Sequence, residues 1–522
     1  MSTLQDFQIA PAILHRVTVR DASAILFCTL LTVFLFISQG TVRGVKRVGK
    51  SRLRTLVTGE TPLRFDLEKY GYLGYQQFSK KANKPFLVKI YGLDHYVLPV
   101  KYLDSLKTVD HHRLSFAQSL NDFLNVDASL GDLVTHSDME IAVVTKHLNP
   151  RLTTLTPVLV DEANFAFEKE LGKLETWKTV NALFLSAFLT NRTSGRVLVG
   201  DLCRDDNYLH AMMKYTESVF SSGVAFNGIP LGPFRKIVYY LGARQHRRDL
   251  DNAAALVLPE IKRRMAAQAE DPNCRKENDA IQWNLDLPLA SPKEGLPLRH
   301  AHRVLHLSFA ATGTVAILIT HMIYNVLMYP EYLEPLREEV MACTKAHGGW
   351  TEKAMNEMWK LDSFIRETLR VQPPSVFTAY RTVKNQPFTF PDGFTLPVGS
   401  RITFPTLPVG LDPENYESAS EFDGFRFFRK REEARLAKKA YNWGATKIDS
   451  SFLPFGYGNQ ACPGRFFGVR KTKILFGKLI NDYDFSWAEP RSARPENIVI
   501  EGQILVNPTP EIKIKSRVAA GM

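Results

Sequence analysis

The chain has 522 residues, 45% of them hydrophobic and 23% charged, which provides for one large core and excludes a disordered protein. Lys and Arg together exceed Asp and Glu by 12, a surplus suited to an anionic membrane surface or an acidic protein partner. The five cysteines (Cys28, Cys203, Cys274, Cys343 and Cys462) are odd in number and widely spaced, which excludes a zinc ribbon and argues against a disulfide framework; with no basic block interleaved with aromatics, nucleic acid is set aside as a partner.

In chain order, the first element is "ASAILFCTLLTVFLFIS", residues 22–38, apolar throughout and followed by Arg43, Lys46, Arg47, Lys50, Arg52 and Arg54. Its length lies at the lower edge of the roughly 17 to 25 residues that span a bilayer, and the positive charge behind it assigns that side to the cytosol. A cleaved signal peptide carries its charge before the apolar run; here the charge follows, so the segment reads as an uncleaved anchor. The expected organisation is a luminal N-terminus over 1–21, a transmembrane helix over 22–42, a basic linker over 43–60 and a catalytic domain over 61–522.

Short extended stretches, "PFLVKIYG" and "HYVLPV", mixed with turn residues suggest a small sheet between 60 and 105. From 135 to 370 apolar residues recur at helical spacing, as in "VLVDEANFAFEKELGKL", "YLHAMMKYTESVFSSG" and "YLEPLREEVMACTKAH". Within this region "VLHLSFAATGTVAILITHMIYNVL", 304–327, is hydrophobic on nearly every side and reads as a buried central helix with Thr312, Gly313 and Thr314 at its middle. In "SFIRETLRVQPP", Glu367 and Arg370 share a helix face, which by itself describes any surface ion pair equally well. "FTFPDGFTLPVG" reads as a hairpin, and "EFDGFRFF" sets Arg426 in an aromatic, loop-like stretch. The class is mainly α with a minor β region.

The segment "FGYGNQACPGRFFG", 455–468, holds a single cysteine between glycines. With the central helix, Glu367, Arg370 and Arg426 in this order, it resembles the cytochrome P450 family of haem-thiolate monooxygenases. Phe455, Gly458, Cys462 and Gly464 match that family's F-x-x-G-x-(Arg/His)-x-C-x-G loop, and the likeness runs from the anchor to about residue 515. "LSFAATGT", "PEYLEPLREEV", "DPENY" and "ACPGRFF" look most like filamentous-fungal microsomal members that decorate terpenoid, meroterpenoid or indole-diterpene skeletons.

The resemblance implies a P450 fold and haem b (iron protoporphyrin IX) with Cys462 as its axial ligand. Phe455, Gly458 and Gly464 would line the cofactor, the glycines clearing space for the ring plane. It also implies a structural charge network of Glu367, Arg370 and Arg426 behind the loop, and an oxygen-activating hydroxyl at Thr314. Two positions depart from the pattern. Gln460 stands where Arg or His usually meets a haem propionate, so Arg381 and Lys146 are the expected cationic partners. Gly313 stands where a polar side chain usually helps to supply protons, leaving that route to be found elsewhere.

By family position, Phe116, Phe309, Ala310 and Phe377 would line a mostly apolar pocket for a lipophilic substrate. Electrons would come from NADPH through a cytochrome P450 reductase docking on the cations near the loop: Arg429, Lys430, Arg431, Arg465, Arg470, Lys471 and Lys473. The expected location is the endoplasmic reticulum membrane, single-pass, with the catalytic domain cytosolic. The same fold also serves isomerases, peroxide-driven enzymes and non-catalytic haem sensors, which stay open as alternatives.

Overall fold

The structure, a computed structural model, describes residues 42–49, 67–124, 126–129, 137–225, 235–289, 291–439 and 443–517. The chain divides into two units, Met1–Val45 and Lys46–Met522. The expected luminal segment, 1–21, and all but Val42 of the expected membrane segment, 22–42, lie outside the described residues.

The helix that organises this unit is long because no proline interrupts it between Pro297 and Pro330. Proline fits the first turn, where its missing N–H leaves no bond unmade, and a second proline follows the last turn. Around it, in chain order, lie β1 (Lys46–Arg47), α1 (Leu67–Gly74), β2 (Phe86–Ile90), β3 (Leu93–Val97), β4 (Leu114–Ser115), α2 (Phe116–Leu124), α3 (Met139–Ala142), α4 (Leu152–Glu170) and β5 (Lys178–Asn181). Then come α5 (Ala182–Leu198), α6 (Asp206–Ala225), α7 (Arg244–Glu270), the central α8 (Pro297–Met328), α9 (Leu333–Ala346) and α10 (Trp359–Val371). The C-terminal third adds β6 (Thr378–Val383), β7 (Phe388–Thr389), β8 (Thr395–Leu396), β9 (Arg401–Phe404), α11 (Arg426–Leu436), α12 (Arg465–Asp482), β10 (Tyr483–Trp487), β11 (Ile498–Ile500), β12 (Gln503–Leu505) and β13 (Glu511–Ser516).

Helices dominate and the sheets are few, as the patterning predicts. The largest sheet runs β1-β2-β3-β9-β6-β4, and β7 pairs with β8 as the expected hairpin. The main core surrounds α8, joining Leu159, Leu189, Leu305, Ile319, Phe364 and Ile480 from five helices. A second cluster, including Leu67, Phe86, Val88 and Phe377, sits between α1 and the large sheet.

Two local features position the site. In β6 the register with β9 breaks between Thr378 and Arg381, with Ala379 at φ +54°; such a bulge re-aims the residues that follow it. At the other end, α12 starts immediately after the cysteine loop and packs on α8, where Gly468 stands within reach of Val315. Arg426, read from sequence as loop-borne, is the first residue of α11.

Candidate active site

The cysteine loop is stitched to its surroundings mainly by main-chain groups. Cys462 N donates to Phe455 O at 2.8 Å and Ala461 N to Gly458 O at 3.1 Å. Thr378 Oγ1 donates to Leu453 O at 2.8 Å, and Asn459 Nδ2 to Val109 O at 2.9 Å. Gln460 closes this seam: its Nε2 donates to Leu114 O at 2.7 Å and its Oε1 accepts from Phe116 N at 2.8 Å. Both ends of that amide are therefore bound to backbone at the junction of β4 and α2.

Gly458 is needed for a reason the motif does not state. Its φ is +73°, and a Cβ there would sit 2.2 Å from Leu106 O, so the missing side chain lets the loop lie against the turn of helix at Val100–Leu106. Gly464 behaves differently: a Cβ built there meets nothing within 4 Å.

Cys462 is accessible although protein surrounds it closely enough for burial to push its thiol above the usual range. The amides of Gly464 and Arg465 and the Arg465 charge pull the other way. On α8, Ala310 and Thr314 are likewise exposed along a helix that is otherwise largely buried. Thr314 Oγ1 lies 3.3 Å from Ala310 O, whereas the Thr312 hydroxyl is buried and bound to Ser308 O at 2.8 Å. Gly313 has room beside it, with Thr216 Cγ2 the nearest side-chain atom to a Cβ there, at 4.0 Å.

Arg381 is 1% exposed, and its guanidinium donates to Tyr380 O at 2.6 Å and Tyr457 O at 3.0 Å, both neutral carbonyls. Burial alone pulls it down to about 10. A buried cation with no carboxylate on it among the described residues, beside the cysteine loop, fits an anionic group such as a haem propionate. The accessible thiol, the two amides turned to it and the open flank of Gly464 fit the flat ring and its iron. Lys146 differs from Arg381: it is exposed on the turn Val143–Leu148, and the loop is reached from this region by Asn149, whose Nδ2 donates to Pro463 O at 3.0 Å.

Behind the loop, Arg370 meets both carboxylate oxygens of Glu367, and Arg426 Nε lies 3.2 and 3.3 Å from the same pair. Arg370 Nη1 also donates to Gly410 O and Ala419 O. These bonds tie α10 to the 410–426 segment. The tie from α10 toward the loop is made by Arg366, which sequence reasoning missed: its Nη1 donates to Gly444 O at 2.8 Å and Lys447 O at 2.6 Å, and its Nη2 to Asp449 at 3.0 Å.

Among the expected pocket residues, Phe116 is 40% exposed and carries the Arg381 guanidinium over its ring at 6.0 Å, and Phe309 is half-buried. Phe377 is fully buried in the second core cluster, where it fills the space beside Gly71 and presents no surface to a ligand. The expected patch of cations also breaks up. Lys471 is wholly buried, Lys473 pairs with Asp362 at 2.7 Å, and Arg470 is bound to Glu352. Of the expected cations Arg465 does stand beside the loop, where with Lys107, Lys447, Tyr457, Gly458 and Phe466 it lines a cleft of about 390 Å³.

Residues 115–516 match the cytochrome P450 family. A cytochrome P450 monooxygenase of Penicillium canescens, olcJ, is 33% identical over 87% of this chain and 85% of its own. Cytochrome P450 monooxygenase AN1598 of Emericella nidulans is 31% identical over 85% and 82%, and ent-kaurene oxidase P450-4 of Gibberella fujikuroi 31% over 87% and 89%. Among solved structures, a retinoic acid-bound cyanobacterial CYP120A1 shares the fold at a TM-score of 0.62 and 18% identity, covering 87% of this chain and 95% of that one. The fold and the cysteine loop thus define a P450 monooxygenase, an oxidoreductase that binds haem iron and receives electrons from a redox partner. The chain belongs to the cytochrome P450 family.

Proposed function

We propose that the chain binds haem b through Cys462 and oxidises a lipophilic, terpenoid-like secondary metabolite, with electrons from NADPH delivered by a flavoprotein reductase. The observation that carries this reading is the exposed Cys462 with the Gly464 and Arg465 amides turned toward its sulfur. When bound, the haem supplies reductive activation of dioxygen and transfer of one oxygen atom to carbon. Cys462 would hold the iron, the amides and Arg465 would stabilise the thiolate, and Arg381 would neutralise a propionate. Thr314, exposed on α8, would hold and pass a proton at Oγ1.

The substrate class is supported by relatives named for ent-kaurene and by the apolar Phe309 and Ala310 on the exposed flank of α8. A reductase's acidic face is matched by Lys107, Lys447 and Arg465 around the loop's outer cleft. Residues 22–42 would anchor the chain in the endoplasmic reticulum with residues 61–522 in the cytosol, which deletion of 1–42 tests by loss of carbonate-resistant membrane association.

The deciding experiment is spectroscopic. The reduced protein under carbon monoxide is expected to show the thiolate-type Soret band, and Cys462→His to lose it; a variant that keeps the band removes Cys462 from the site. Co-expression with a reductase and feeding of terpenoids, read by mass spectrometry, then identifies the product. Gly313 favours a second reading, a peroxide-driven enzyme or isomerase, which product formation without NADPH would reveal.

A further inference from the structure

The N-terminal half of α8 carries a histidine cluster that the site described above leaves unused. His302, His306, Phe309 and Gly313 succeed one another at spacings of four, three and four, so they share one face of α8, which ends at the glycine before Thr314. Helices α3, α6 and α7 all pack on α8. Tyr215 of α6 meets Phe309 edge-on with ring centroids 6.1 Å apart, and Thr216 is the side chain nearest Gly313. Tyr215 also stacks against His246 of α7 at 5.3 Å.

The hydrogens in this cluster can be placed. His306 Nδ1 lies 3.2 Å from Glu140 Oε1, and a carboxylate oxygen only accepts, so that nitrogen carries the hydrogen. His246 Nδ1 lies 3.2 Å from Ser218 Oγ, whose own hydrogen goes to Tyr215 O at 2.9 Å, so His246 donates there as well. A neutral ring in either position keeps its lone pair on Nε2. Both Nε2 atoms, that of His302 and the Tyr215 hydroxyl are closed to solvent and have no hydrogen-bond partner among the described residues. His246 and Tyr215 are completely buried. Burial pushes His246 and His302 down to about 4, so both rings are neutral at physiological pH.

We propose that this cluster is a polar subsite that takes a hydroxyl group of the lipophilic substrate, donated to an imidazole Nε2 and accepting from Tyr215 Oη. The inference rests on the monooxygenase reading for its class of ligand. Buried polar groups are rarely left unpaired, and these four stand on helices α6, α7 and α8, which pack on one another, so the proposed occupant is water when no ligand is bound and the hydroxyl when one is. A hydroxyl both donates and accepts, which suits lone pairs beside an O–H; a carboxylate would bring negative charge toward Glu140 and offer the lone pairs nothing. Metal ligation is not supported, because among the described residues the ligand atoms converge closely only at the exposed Asp110, His111 and His112. The subsite would therefore hold an oxygenated end of the skeleton along the same face of α8 that leads to Gly313.

The test is isothermal titration of the haem-loaded full chain with matched pairs, ent-kaurene against ent-kaurenol and androstane against androstanol. The alcohol is expected to bind at least about tenfold tighter than its hydrocarbon in one pair or both. The ratio should fall to about one in Tyr215→Phe and His246→Phe. Because it is read within each variant, the ratio is insensitive to a general loss of affinity, and Tyr215→Phe, which removes one oxygen atom, guards against misfolding of the histidine variant. A wild-type ratio near one in both pairs, a ratio that survives both substitutions, or binding of none of the four compounds overturns the subsite. An alcohol preference confined to the androstane pair supports the subsite and counts against the diterpene-like skeleton alone.

Discussion

Arg370 Nε and Nη2 donate to the two oxygens of Glu367 at 2.8 and 2.6 Å, one helical turn apart, and both side chains are closed to solvent. The pair is held from the other side by Arg426 and by Asp423 N, which donates to Glu367 Oε1 at 3.0 Å. Burying two cations on one carboxylate is tolerable only while every partner is present, because a lone buried charge keeps its desolvation cost and loses its attraction.

Glu367→Ala is therefore expected to destabilise the domain by about 3–5 kcal/mol, the range found when one member of a buried ion pair is removed. Arg370→Lys, which keeps the charge and loses the two-pronged geometry, should cost less. Urea denaturation, together with the haem content of purified protein, measures both. A Glu367→Ala variant within about 1 kcal/mol of wild type would mean that the network is not what holds α10 to the 410–426 segment.

Arg381 offers a cleaner test of cofactor binding, since both of its observed partners are neutral carbonyls. If its guanidinium meets a propionate, Arg381→Leu should raise the rate of haem loss by about 10- to 100-fold, the equivalent of one charge-assisted hydrogen bond. Transfer of haem to an excess of apomyoglobin reads this directly. An unchanged rate would assign Arg381 to the β6 bulge and the Tyr457 turn alone.

How much of this was legible in the sequence differs from residue to residue. The helices at 152–170, 206–225 and 359–371 follow from apolar spacing, and the Glu367–Arg370 pairing from a separation of three. Arg366, beside Glu367, points toward a segment about 80 residues further on, and no local pattern specifies such a partner. Gln460 was visible as a departure from the family loop, but its two backbone partners lie some 345 residues earlier in the chain. The cations near the cysteine misled for a related reason: on α12, neighbours in sequence face different sides, so Lys471 and Lys473 turn inward. The Asn191-Arg192-Thr193 triplet, which by pattern alone reads as an N-glycosylation acceptor, is no surface site, because Asn191 is buried within α5.

Lys471 gives a prediction about pH. Its ammonium donates to Ser194 Oγ and to Ala311 O at 2.7 Å, and burial alone, with no charged neighbour contributing, pushes it from 10.5 down to about 7. Below about pH 7 folded and unfolded chains both hold the proton, and this group adds no slope. Between there and about 10.5 the unfolded chain holds a proton that the folded one lacks, so stability rises with pH. Lys471→Met should remove that rise, which for a single group is about 1.4 kcal/mol per pH unit, and should be most stabilising relative to wild type at pH 6. Denaturant melts of both proteins at pH 6, 7.5 and 9 measure it; parallel curves would mean that the lysine stays protonated in the fold.

The last prediction concerns Thr314. The neighbouring Gly313 has no side chain to share a proton, and the Thr312 hydroxyl is buried and bound to Ser308 O at 2.8 Å, so neither can substitute for it. Thr314 is exposed on α8, and the bond from its Oγ1 to Ala310 O is long at 3.3 Å, which leaves the hydroxyl able to turn toward a ligand or water. Thr314→Ala is expected to keep haem and substrate binding but to uncouple the reaction, so that NADPH is still consumed while hydrogen peroxide replaces oxygenated product. Thr314→Ser, which restores the hydroxyl, should recover most of the coupling. NADPH, peroxide and product measured together in both variants decide the matter. An alanine variant coupled as tightly as wild type would remove Thr314 from proton delivery and strengthen the peroxide-driven or isomerase reading that Gly313 favours.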